Sequence, residues 1–150
     1  MAIDIVKLQV IKDGSVYYNH EPISCPKALA EIGKKFIGNC DREMFLLVCL
    51  DSRNMINALH VVSIGCLSTA PVHPREVFKA AILCNSAAIA LIHNHPSGDT
   101  MPSNEDIEVT RRLIKCAELF GIRLHDHVIL GERDTFFSFY EKGLLKVNVD

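Results

Sequence analysis

The sequence predicts an α/β fold: one domain with a central mixed β-sheet flanked by helices. Three observations point there. A chain of 150 residues, 49% hydrophobic and 23% charged, is long enough to bury a core of its own. Short apolar runs alternate with segments of helical period, without a strict strand–helix–strand repeat. Residues 87–92 (AAIALI) are continuously apolar, the pattern of a strand buried on both faces.

The elements follow in order. Residues 4–11 (DIVKLQVI) are apolar and β-branched, which predicts a strand, and VYY after Asp13-Gly14 predicts its hairpin partner. Pro26 opens a predicted helix with Leu29, Ile32 and Phe36 on one face, ended at Gly38-Asn39. Residues 43–50 (EMFLLVCL) predict a strand, 51–54 a turn, and roughly 55–65 an antiparallel partner. Pro74 begins a second helix, with Val77, Phe78, Ala81 and Cys84 inward. A third starts at Ser103, keeps Ile107, Ile114, Ala117 and Phe120 on one stripe, and stops at Gly121. Residues 127–130 and 135–139 predict two late strands.

Composition narrows the function classes. The net charge is -2, and the basic residues occur only as pairs such as Lys34-Lys35 and Arg111-Arg112, which argues against strong nucleic-acid binding by this domain alone. Six cysteines without a Cys-x-x-Cys pair predict buried free thiols in a reducing cytoplasm. Asp4 and Lys7 interrupt any secretory leader, and no apolar run is long enough for a membrane span. A soluble, cytoplasmic protein is expected.

The chemistry concentrates between residues 93 and 106. His93 and His95, two apart on an extended chain, present their imidazoles to one face where the buried strand ends. Asp106 falls in the first turn of the next helix, beyond a loop holding Pro96, Gly98 and Pro102. Two imidazoles and a carboxylate make three protein ligands and leave a fourth position open, as in catalytic zinc sites. Iron, cobalt or manganese suit the same donors. The spacing also has a purely structural reading, in which Ser103-x-x-Asp106 is a helix capping box.

The string HNHPSGDTMPSNED resembles the JAMM signature of the JAB/MPN metalloproteases: His-x-His, seven residues, Ser, two residues, Asp. VHPREVF, DIEVTRRLIKCAELFGI, Asp126-His127-Val-Ile-Leu-Gly and the late GLL resemble the RadC-like branch of that superfamily, so that the likeness covers about residues 40–145. It implies a cytidine-deaminase-like architecture and one zinc ion per chain on His93, His95 and Asp106. It also implies hydrolysis of a peptide or isopeptide amide in a peptide or protein substrate. The superfamily uses a glutamate as general base. Glu43 and Glu76 are the candidates. A carboxylate at Glu76 is explained by the dipole of its helix. Glu43 heads seven apolar residues, and a half-buried carboxylate there suits a proton shuttle. Glu43 is therefore expected to take a proton from water and return it to the leaving amine, with the Ser103 hydroxyl donating to the oxyanion.

His125 and His127 are expected to share a strand face, and to act structurally or as a hydrogen-bond partner of a ligating imidazole rather than as a second metal site. The resemblance carries competing readings, a DNA-repair-associated module linked to nucleic acid and a catalytically inactive scaffold, the latter opposed by the intact His93, His95, Ser103 and Asp106. Fuller relatives have an N-terminal helix-hairpin-helix region. About 40 residues precede the matching stretch here, without a paired Gly-x-Gly hairpin, so none is expected.

Overall fold

A computed structural model describes residues 1–65 and 72–146. Five strands form one mixed sheet: β1 (Met44–Leu50), β2 (Ile56–Ile64), β3 (Ala88–Asn94), β4 (Arg123–Leu130) and β5 (Phe136–Ser138). Three helices accompany them: α1 (Pro26–Ile37), α2 (Pro74–Leu83) and α3 (Asn104–Phe120). The spatial order is β2-β1-β3-β4-β5. The β3–β4 pair is parallel, joined through α3, and the other neighbours run antiparallel. The mixed α/β architecture expected from the sequence is the one observed.

The sheet is covered on both sides. Along β1, Phe45, Leu47 and Cys49 pack with Val77, Phe78 and Ala81 of α2 and Val109, Leu113 and Ala117 of α3. The alternate residues Leu46, Val48 and Leu50 pack with Leu29, Ala30 and Ile32 of α1. Every residue of β3 is buried. A strand so placed has no polar face to show, which is why residues 87–92 read as an unbroken apolar run. Burial of β3 puts its C-terminal end, where His93 and His95 stand, in a rigid frame.

The helix ends follow local chemistry. Pro26 and Pro74 occupy the first turns of their helices, where a missing N–H costs nothing. His73 caps α2, its Nδ1 accepting from the Arg75 N–H at 3.1 Å. Gly121 ends α3 in the left-handed conformation, at φ 65°. In the β1–β2 turn, Asp51 Oδ1 accepts from the N–H groups of Arg53 and Met55. The Met55 bond, foremost, holds the Asp51 carboxyl below its ordinary range.

Some expectations require correction. Residues 4–11 and VYY form no strand: 1–24 contain neither helix nor strand, and Ile3, Ile5 and Leu8 are exposed. β propensity becomes a strand only when a neighbour completes the hydrogen-bond ladder, and among the described residues no strand pairs with that segment. Val16, Tyr18 and Ile23 instead rest against the α1 side of the core. On α3 the buried stripe is Val109, Leu113, Ile114 and Ala117, with Ile107 half-buried and Phe120 exposed. The helix is rotated so that Asp106 and Thr110 also face inward. The five described cysteines are free, as expected, yet only Cys49 is buried, its thiol pushed up to about 12 chiefly by desolvation. Cys66 lies outside the described residues. None of the described helices is long and apolar enough to cross a membrane.

Candidate metal centre

His93, His95 and Asp106 offer ligand atoms that all lie within 4.8 Å of one another. His93 sits near the end of β3 and His95 just beyond it, where the His95 N–H donates to the Leu130 carbonyl of β4 at 3.0 Å. Asp106 sits in the first turn of α3. His93 and Asp106 are completely buried, and His95 is partly exposed. His93 Nε2 and His95 Nε2 stand 3.0 Å apart. Asp106 Oδ1 is 3.2 Å from the first, and Asp106 Oδ2 is 3.3 Å from the second.

Hydrogen-bond accounting decides where the imidazole protons are. Thr110 Oγ1 lies 2.6 Å from the Asp106 carbonyl, which can only accept, so the one hydroxyl proton goes there. The same oxygen lies 2.6 Å from His127 Nδ1 and must accept from it. His127 is completely buried, and desolvation above all, followed by the neighbouring His93, holds it well below the ordinary imidazole range. A neutral His127 with its proton on Nδ1 has a bare Nε2, which lies 2.8 Å from His93 Nδ1. His93 therefore donates from Nδ1, and as a neutral ligand it aims an Nε2 lone pair into the cluster. His95 reaches the same state by a shorter route, because its Nδ1 donates to the Asp99 carbonyl at 2.6 Å.

The carboxylate completes the argument. Asp106 and Ser103 form the capping box that the spacing permits: the Ser103 N–H donates to Oδ2 at 2.8 Å, and the Asp106 N–H donates to Ser103 Oγ at 3.1 Å. Those bonds leave Asp106 Oδ1 buried with no hydrogen-bond partner. Burial works against ionisation of Asp106, but protons on the Nε2 atoms of His93 and His95 override it and hold the carboxyl well below its usual range, so the cluster favours positive charge between these three groups. A buried, ionised oxygen facing two nitrogen lone pairs is unfavourable unless a cation lies among them. The donor set and the orphaned oxygen thus fit a divalent metal, and capping and ligation are compatible uses of one side chain.

A β-bulge brings His127 into this cluster. Leu124 pairs with Ile89, while Asp126 pairs with Ala90, so His125 is an extra residue in β4. The insertion reverses the alternation and turns His127 to the His93 side. The expectation that His125 and His127 share a face fails here: His125 contacts Asn54 Oδ1 at 2.8 Å, while His127 serves His93. The expected partnership with a ligating imidazole falls to His127 alone. Asp126 accepts from Ser138 Oγ, the Tyr140 N–H and the His127 N–H, which ties the bulge to the chain after β5.

The two glutamates part company. Glu43 stands just before β1, two residues from Phe45, which pairs with His93 at the end of the ladder nearest the cluster. Its charge is felt there, contributing to a raised His95 pKa whose main cause is Asp106. Glu76 lies in the first turn of α2 with Lys79 Nζ at 2.6 Å, and Lys79 and Arg75 are its charged neighbours. The Lys79 contact, chiefly, holds its carboxyl low, as befits a surface ion pair.

Thr110, Asn94 and Phe45, which stacks on His93 with ring centroids 5.7 Å apart, are site residues that the sequence did not single out. Each is an ordinary residue of a strand or helix, and only its register reveals it. The loop between β3 and α3 is held by backbone proximity: a Cβ on Gly131 would lie 2.6 Å from the Gly98 carbonyl. If the Thr110 relay sets the His93 tautomer, Thr110→Val will preserve the fold and weaken zinc affinity by about 10–100-fold, the usual effect of losing a partner behind a ligand. Competition with a zinc indicator measures this, and unchanged affinity would refute the relay.

Comparison with known proteins gives the family. The family model described as a RadC-like JAB domain matches residues 23–144. A "UPF0758 protein" of Clostridium kluyveri is 46% identical over 134 residues, covering 89% of this chain and 57% of the relative. One of Desulforamulus reducens is 44% identical over 123 residues, covering 82% and 54%. The chain therefore spans little more than half the length of these relatives. Matched over most of its own length by that family model and by these relatives, the chain belongs to the RadC-like JAB domain family.

Proposed function

We propose that this domain is a metal-dependent hydrolase of peptide or isopeptide amide bonds, with zinc as the ion its donor set suits first. The observation that carries the reading is the orphaned, buried Asp106 Oδ1 facing the Nε2 atoms of His93 and His95. Three protein ligands leave a coordination position for water or substrate. When bound, a divalent ion there supplies Lewis acidity, polarising a carbonyl and making water more acidic.

The chain supplies the rest. Glu43, whose charge is felt at His95, takes a proton from the attacking water and returns it to the departing amine. Ser103 caps α3 through its oxygen lone pair, so its own proton remains for the oxyanion. Capping uses the acceptor and oxyanion stabilisation would use the donor, so the two uses are compatible. His127 and Thr110 keep His93 presenting the correct nitrogen.

The test has two stages. Purified protein is offered excess zinc and its bound metal is counted by mass spectrometry, with about one ion per chain expected. The loaded protein is then incubated with a pooled library of internally quenched peptides, half of them branched through a lysine ε-amide. Cleavage that chelation abolishes and zinc restores supports the reading. Protein that takes up no metal would overturn it.

A further inference from the structure

We infer that Asn94, the residue between the two histidines, is a positioning residue that sets the backbone of Glu43. This inference rests on the reading of Glu43 as the base. The β1–β3 ladder ends at the Phe45–His93 pair, and beyond it His95 is drawn to β4. The buried Asn94 amide fills the gap this leaves. Its Oδ1 accepts from the Met44 N–H at 2.8 Å, and its Nδ2 donates to the Arg42 carbonyl at 2.9 Å.

These two groups belong to the two peptide units that flank the Glu43 Cα. Holding both planes sets φ and ψ at Glu43, and with them the direction in which its side chain leaves the backbone. On the far side, the Glu43 carbonyl accepts from the Gly65 N–H at 2.8 Å, so the segment is held from both neighbours. Only a side chain with a donor and an acceptor on one rigid plane makes both Asn94 bonds. Aspartate lacks the donor, and leucine lacks both. Asn94 faces away from the imidazoles on either side of it, so one tripeptide serves two purposes: His93 and His95 address the metal, and Asn94 places the base.

Amide exchange in the metal-free protein tests the clamp directly. In Asn94→Leu the Met44 amide should exchange about 10-fold faster or more, while amides in the middle of β3 keep their protection. The consequence for Glu43 is read with acetohydroxamate, a small zinc-binding probe whose bound N–H and O–H groups can engage a neighbouring carboxylate. Its affinity for zinc-loaded wild type, Glu43→Gln, Asn94→Leu and the double variant is measured by calorimetry. Each single variant should bind more weakly with zinc still at about one per chain, and the double variant should bind no more weakly than Glu43→Gln. Weakening by Glu43→Gln but not by Asn94→Leu, or full additivity, would overturn the positioning role alone. No effect of Glu43→Gln would overturn the base assignment and the inference with it. If Asn94→Leu does not fold, Asn94→Asp, which keeps the Met44 acceptor and loses the Arg42 donor, gives the same comparison.

Discussion

Asparagine in place of Asp106 is expected to leave the fold standing and to abolish stoichiometric zinc binding. The substitution separates the two roles of this side chain. The Asn carbonyl oxygen can still accept from the Ser103 N–H, as Oδ2 does now at 2.8 Å, so the start of α3 keeps its capping box. The Asn amide then stands where Oδ1 lies, buried, 3.2 Å from His93 Nε2. It brings a donor to a lone pair. It also removes the carboxylate that His93 and His95 hold ionised, so the metal-free variant should melt at or below the temperature of the metal-free wild type. Zinc, by contrast, loses an anionic ligand and meets an N–H group in its place. Affinity should fall by more than about 100-fold, beyond what removing a partner behind a ligand produces. Calorimetry of both proteins with and without zinc measures both quantities. If Asp106 only caps its helix, the two proteins will bind zinc alike.

Glutamine in place of Glu43 is expected to leave metal binding intact and to reduce amide hydrolysis by about 100–10,000-fold, the range over which a positioned proton carrier contributes. Glu43 is not among the three residues whose ligand atoms converge, so zinc should remain at about one per chain. Glutamine preserves size and polarity but cannot take a proton from water. The control is Glu76→Gln. Its carboxylate is occupied by Lys79 on the surface of α2, and its loss should change neither metal content nor rate by more than a factor of about two, as for most surface substitutions. A rate that fell in Glu76→Gln and survived in Glu43→Gln would exchange the assignments.

Much of this protein can be derived from its sequence because the physics involved is local. Pro26, Pro74 and Gly121 mark helix ends through their own backbone constraints. The unbroken apolar run before His93 announces a strand covered on both faces. The spacing of His93, His95, Ser103 and Asp106 determines which donors a strand end and a helix start could share, provided they meet.

That they do meet was for tertiary structure to decide, and so was everything that depends on register. Residues 4–11 have the composition of a strand, yet pairing needs a partner that local propensity cannot supply. His127 turns toward His93 because a bulge at His125 inserts one residue into β4, and a period-two pattern reverses at such a point without warning in the sequence. Thr110 becomes the end of a proton relay through the rotation of α3, and Asn94 becomes a clamp because β1 and β3 part at that place. The ligands could be proposed from residue types and spacing, which are properties of the chain. The partners that orient the ligands and the base are properties of neighbouring elements, and one residue of slip would exchange them for others.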